Sequence, residues 1–327
     1  MKYEIICLGS ACKDVFFPTA EGKVIDAPED LLAQKKIEFE LGAKYKIETR
    51  YEALGGCAAN VACGLSKLGI KTACYSHIGD DGIAQWIKNE LQKNGVDTNL
   101  MTYEKNCPSD MSAIVIDKSS ADRVIFSNQK ANSFLEIKPE EINETRWYFI
   151  GDLHGDWEKD IDVIFDASEK NNIKVAWNPR GVNIHENVKK IIECIPKTEI
   201  LFLNKDESIE IVSGLEKKFS AEEMNQEEFL AKKICELGAK TIVITDGVRG
   251  AWAYEGKELL FIPGRKVNAV DSTGAGDSFG SAYLAACIKG KNMKECLEWG
   301  IANSSNSVQY YGSIEGLLTE NEINNKA

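Results

Sequence analysis

Six consecutive residues, Ser272, Thr273, Gly274, Ala275, Gly276 and Asp277, stand directly before the run "SFGSAYLAACIKG", whose apolar positions recur at helical spacing. Glycines at 274 and 276 let successive backbone N–H groups face one concavity, and the helix start adds the positive end of its dipole. Such a turn holds an anion, with the N–H groups of Gly274, Ala275 and Gly276 as donors. A carboxylate beside that anion is suited to take the proton of an attacking hydroxyl, which makes Asp277 the candidate general base. An isolated Gly-Asp reads as a helix cap. The doubled glycine and the nearby Asp271 argue for chemistry instead.

Other glycine-rich chemistries fit poorly. The sequence holds no G-x-x-x-x-G-K-[ST] loop and no G-x-G-x-x-G after its first strand-like run. A P-loop nucleotide site and a dinucleotide site are therefore not expected. "GDLHGD" (151–156) resembles the start of a two-metal phosphoesterase site, but that chemistry needs several further histidines. Only His77 and His185 remain besides His154, so a metallophosphoesterase is the weaker alternative, and Asp152 and His154 read as strand-end residues of another site.

These residues must be positioned by a scaffold. "YEIICLG", "KTACYSHIG", "RWYFIG", "IKVAWNP", "TEILFLN" and "AKTIVITDG" are strand-like runs. Helical patterns at 57–69 and 81–95 both end on glycine. Alternation of this kind predicts an α/β fold with a largely parallel sheet covered on both faces, and ligands at the carboxyl ends of its strands. Asn178, Asn204, Thr245 and Asp246 stand there. Two intervals depart from the alternation. Residues 14–51 hold the short β-prone pieces "DVFFPT" and "KYKIETRYEAL" around the polar stretch "TAEGKVIDAPEDLLAQKK", and 109–129 reads as a hairpin around Lys-Ser-Ser-Ala-Asp. Together they predict a small sheet beside the main one. Residues 214–229 read as a solvated loop leading into a helix.

The chain has 327 residues and a formal net charge of −12, with 39 Lys and Arg against 51 Asp and Glu. Acidic residues are spread rather than blocked, which argues against nucleic acid as a partner. An anionic substrate would need local positive groups. No apolar run approaches a membrane span or a secretory signal, so no membrane association and a cytoplasmic location are expected. Ten scattered cysteines without a C-x-x-C pair fit reduced, buried thiols.

Four motifs, in order, carry a resemblance. "DSTGAGDSFGSAYLAA" is similar to the C-terminal signature of the ribokinase-like (PfkB-type) carbohydrate kinases, and "LGGCAANVACGLSKLG" (54–69) resembles their N-terminal one. "NKDE" (204–207) resembles the family's Asn-x-x-Glu motif, and "TDGVRG" (245–250) its nucleotide turn. The resemblance covers essentially the whole chain. It implies one ribokinase-like α/β domain over 1–327, with lid segments at about 14–52 and 108–130. It also implies transfer of the γ-phosphate of ATP to a hydroxyl of a sugar or sugar-like alcohol, with Asp277 as base.

By the same resemblance Asp14, Gly55, Gly56 and Asn60 bind substrate, and His154 stands roughly where ribokinases carry a glutamate. Asn204 and Glu207 serve the nucleotide, Glu207 holding water on Mg²⁺; Thr245, Gly247 and Gly250 line the phosphates and ribose. Asn303 on the late helix is expected at the adenine. Asp271 and Thr273 match positions that in some relatives support a monovalent cation, so K⁺ is an expected activator. A homodimer through the lid is expected. Cys12 stands where ribokinases carry asparagine, which argues against ribose itself. Phe16, Phe17 and Tyr51 would either stack on a nucleobase or pack the lid. A nucleoside kinase of the same fold is the alternative, and a silent sugar-binding protein a lesser one.

Overall fold

The computed structural model describes residues 1–26 and 35–326. Its main sheet has eight strands in the order Glu258–Pro263, Gly250–Glu255, Thr241–Thr245, Ile200–Asn204, Lys174–Trp177, Trp147–Ile150, Ile5–Leu8 and Thr72–Tyr75. The last six run parallel; the first two are antiparallel. All six strand-like runs of the sequence thus lie in the sheet. The two antiparallel strands at 250–263 were not anticipated, because their half-exposed faces dilute the apolar pattern.

Continuous apolar runs follow from burial on both faces. In Ile5–Leu8, Ile5 and Cys7 enter one core while Ile6 and Leu8 enter the other. Helices Cys57–Lys67, Gly82–Lys93, Ala275–Ile288 and Met293–Ser307 cover the first face. Trp157–Asn171, Gly181–Cys194, Lys205–Ser213 and Glu227–Cys235 cover the second. Residues 214–229, expected as a loop, contain the short helix Ala221–Met224, whose start is a capping box between Ser220 and Glu223. The Ser-x-x-Glu spacing carried that signal.

The two departing intervals form a separate four-stranded sheet, ordered Arg123–Asn128, Met111–Asp117, Cys12–Thr19 and Tyr51–Gly55. Phe16, Ala53, Ile114 and Ile116 make its small core, so Phe16 packs the lid. Tyr51 stacks on Tyr311 of the body, ring centroids 4.5 Å apart. Of the polar stretch between the β-prone pieces, Lys23–Asp26 and Lys35–Glu38 pair as an antiparallel ribbon, and 27–34 lie outside the described residues. At the root of the Met111–Asn128 hairpin, buried Asp110 accepts the N–H groups of Ala131 at 2.7 Å and Asn132 at 3.2 Å, and the Asn132 amide at 2.7 Å. That clip ties the hairpin to the body.

Candidate active site

Gly274 caps the helix Ala275–Ile288 with φ 71°, a left-handed backbone that glycine takes without strain, and a side chain there would run into Ser313. The first helical turn leaves its N–H groups without intrahelical partners; only Ala275 makes a long bond, 3.3 Å to the Ser272 carbonyl. A Cβ at Gly276 would meet nothing within 4 Å. The turn is therefore open to a ligand.

Asp277 follows, 5% exposed. Its neighbours arrive on the helix Cys57–Lys67, which approaches closely because Gly64 lies against Ser281. Asn60 Nδ2 donates to Asp277 Oδ2 at 2.9 Å, and Cys57 Sγ donates to Oδ1 at 3.1 Å. Three residues apart, both project from one helical face. Burial and the Asp277 charge push the Cys57 thiol up, so it stays a donor. Arg180 Nη1 stands 3.6 Å from Asp277 Oδ1 and donates to Asn178 Oδ1 at 3.3 Å. Burial opposes its charge, but Asp277, Cys57, Glu207 and Asp152 more than compensate and raise its pKa.

Asp14, on the lid strand Cys12–Thr19, is buried, and its carboxyl is pushed up to about 6. Desolvation drives that shift, with Asp271 and Asp277 adding to it, against hydrogen bonds from Ser112 and Cys12. Gly55 lies directly against the Asp14 carboxylate, leaving no room there for a side chain. Gly56, φ 92°, packs on the Ser10 backbone and starts the Cys57 helix. Asn60 Oδ1 is buried without a partner. His154 sits with Asp152, Nε2 to Oδ2 3.4 Å, and Ser10 Oγ donates to the same carboxylate at 2.6 Å. Burial would lift Asp152, yet His154, Arg180 and Ser10 hold it below the usual range, and the same contact raises His154 against its own burial. Among the described residues no group of His, Cys, Asp and Glu could hold a metal ion.

The residues expected to serve the nucleotide are more self-contained. Asn204 and Glu207 form a reciprocal capping box: Asn204 N–H to Glu207 Oε2 is 2.9 Å, and Glu207 N–H to Asn204 Oδ1 is 2.8 Å. Burial raises the Glu207 carboxyl, opposed by Arg180. Thr245 ends its strand, and a Cβ at Gly247 would enter open space. Gly250, φ 122°, packs on the Ile262 carbonyl. Asp246 pairs with Arg249 at 3.2 Å and Lys205 at 3.7 Å, and Glu227 bridges the same two cations. Asn303 corrects the expectation placed on it. Only 1% exposed, its amide donates to the Ser278 carbonyl at 2.7 Å and accepts from Leu318 N–H at 2.8 Å, so both ends join protein segments rather than face a nucleotide. Asp271 accepts from Thr273 N–H at 2.9 Å and Gly312 N–H at 3.1 Å, while Thr273 Oγ1 and Ser313 Oγ are buried without partners.

Sequence reasoning missed Arg180, Cys57 and Arg123. Arg180 lies two residues beyond Asn178, so the strand-end rule stopped just short of it. Cys57 was grouped with packing thiols. Arg123 is taken up below.

The pfkB family carbohydrate kinase model matches residues 31–320. The chain belongs to that family. A ribokinase of Haemophilus influenzae is 28% identical over 284 residues, covering 86% of this chain and 88% of the relative. A nucleoside kinase of Methanocaldococcus jannaschii is 25% identical over 322 residues, 98% of this chain and 95% of the relative. A putative ribokinase II from E. coli, solved with ATP and Mg²⁺, superimposes with a TM-score of 0.77 at 18% identity, over 99% of this chain and 98% of that one. As a pfkB carbohydrate kinase the chain is a phosphotransferase, and the ribokinase-like fold expected from its motifs is the one observed.

Proposed function

We propose that this kinase transfers the γ-phosphate of ATP to a hydroxyl of a sugar or sugar-like alcohol, with Asp277 as general base. One observation carries the reading: a buried carboxylate in the first turn of a helix whose N-terminus is open, held by Asn60, Cys57 and Arg180. Two oxygens are then fixed by two donors, so the carboxylate points consistently toward the place where a hydroxyl would arrive. Asp14 and the unpartnered Asn60 Oδ1 accept hydroxyls on the acceptor side, backed by Gly55 and Gly56. The N–H groups of Gly274, Ala275 and Gly276 receive charge on the transferring group.

ATP as the ligand on this side is supported by the open space over Gly276 and over Gly247. When bound with Mg²⁺ it supplies the phosphoryl group and a counter-charge to it. Glu207, with Arg180 and Asp277 in electrostatic reach, is the carboxylate that would hold water on the metal. The buried, unpartnered Thr273 Oγ1 and Ser313 Oγ beside Asp271 are hard oxygen donors suited to K⁺. The whole chain is read as one kinase domain with the lid inserted. The exposed lid-edge residues Val124, Ile125 and Phe126 support a homodimer through the lid. Free thiols at all ten cysteines support a reducing, cytoplasmic location. No helix among the described residues is long and apolar enough to cross a membrane. The nucleoside alternative draws on the archaeal relative's activity.

Asp277→Asn tests the reading. Calorimetric MgADP affinity should stay within about threefold while kcat falls by about 10³-fold on a responsive acceptor from a sugar, polyol and nucleoside panel. A kcat within tenfold of the parent would sink the base assignment.

A further inference from the structure

Among the described residues, Arg123 is a cation at the glycine turn with no carboxylate in ion-pair distance. It opens the strand Arg123–Asn128, exposed along its whole length, and crosses from the lid to donate through Nη1 to Ser272 Oγ. Ser272 belongs to the turn that ends in Gly274. A guanidinium has five N–H donors; beyond the Ser272 bond the other donors of Arg123 have no partner among the described residues.

The acids nearby are already engaged. Asp271 accepts two backbone N–H groups, and Asp277 accepts from Asn60 and Cys57. Arg123 lies within electrostatic reach of Asp271 and its chain neighbour Asp122, which attract it, and of Arg180, which repels it. Two guanidiniums, one from the lid and one from the body, therefore converge on the open N-terminus of the Ala275–Ile288 helix. The charge of Arg180 is offset by Asp277, Glu207 and Asp152, whereas Arg123 keeps donors that no protein group among the described residues takes up and that an anion at the turn would engage. In a chain of net charge −12, these are the local positive groups an anionic ligand requires.

We infer that Arg123 is the residue with which the lid grips an oxyanion over the glycine turn. Bidentate geometry suits a phosphate or a carboxylate equally. The oxyanion belongs either to the terminal phosphate of ATP, making Arg123 a further catalytic residue, or to an anionic group on the acceptor, making it the residue that selects for one. The inference rests on the phosphotransfer reading but not on Asp277 being the base.

The test is binding rather than turnover. Calorimetric Kd values for Mg-AMPPNP, MgADP, fructose 6-phosphate, gluconate and fructose are compared between the parent, Arg123→Met and Arg123→Lys. Loss of about tenfold or more for Mg-AMPPNP with MgADP unchanged places the anion on the nucleotide. The same loss for fructose 6-phosphate or gluconate, with fructose unchanged, places it on the acceptor. In either case Lys should restore part of the affinity. Acceptors that the parent itself does not bind drop out. All remaining Kd values within about threefold in folded Arg123→Met overturn the inference. Turnover retained in Asp277→Asn alongside weakened oxyanion binding in Arg123→Met would remove the base assignment and leave this one standing.

Discussion

The two ends of the site are built differently. Around Asp277 the structure gathers charged and polar side chains from the lid, the first helix and the carboxyl end of a central strand, and leaves buried polar atoms such as Asn60 Oδ1 and Thr273 Oγ1 without partners. At 204–207, 245–250 and 303 the side chains satisfy one another: a capping box, an ion-pair cluster around Glu227, and an amide joining two segments. What remains there for a ligand is backbone and open space. On the proposed reading, the chemical end is specified by side chains set in advance, whereas the nucleotide end is specified by the absence of side chains.

The sharpest way to break this contrast is at Gly274. Gly274→Val forces a β-branched residue into a positive φ against Ser313, displacing the helix N-terminus that faces Asp277. Turnover should drop about 10²-fold or more in steady-state assays; a drop under threefold would mean that the turn is not part of the chemistry. Asp14→Asn comes next. With a carboxyl lifted to about 6, the parent should lose kcat/KM as pH falls through about 6 rather than 4, since the protonated acid no longer accepts substrate hydroxyls. In the variant kcat/KM at neutral pH should fall tenfold or more and the acid limb should vanish.

Stability gives the opposite sign at Asp14. A carboxyl raised on folding costs stability once pH exceeds its unfolded value near 4, and the full cost is reached above about 6. Asp14→Asn should therefore raise Tm at neutral pH by roughly 3 °C, measured by calorimetry. An unchanged Tm, with the acid limb still in place, would mean that Asp14 is not the group titrating.

Asn303→Ala is expected to cost about 2 kcal/mol of stability, chiefly by stranding the Leu318 N–H, since the Ser278 carbonyl keeps the Ser281 hydroxyl as a donor, with KM for ATP unchanged. A raised KM at constant Tm would return Asn303 to the nucleotide. The smallest effect is expected at Gly247, φ 48° over open space, where Gly247→Ala should raise KM for ATP only a few-fold.

The sheet was legible because its strands are buried on both faces, so runs such as "ILFLN" need no context. Asp277 and Gly274 were legible because glycine and carboxylate spacing constrains the backbone directly, and Asn60 only through the resemblance of the motif that carries it. Arg180 and Arg123 were not. Their relevance depends on a strand end and a lid hairpin meeting one helix across 149 residues of chain in the case of Arg123 and Ser272, a proximity that no local pattern encodes. Asn303 misled for a related reason: a polar residue on a helix looks the same in sequence whether it faces solvent, ligand or a neighbouring loop.

The Asp110 clip has a mechanical consequence. Fastened by the clip and paired with Cys12–Thr19 along Met111–Asp117, the hairpin can tilt only together with its sheet, as a plate whose far end carries Arg123, and six residues of strand give an arm of about 20 Å. A tilt of only ~10° about the clip then displaces that end by ~3.5 Å, enough to sever the Arg123–Ser272 bond while the root stays fastened.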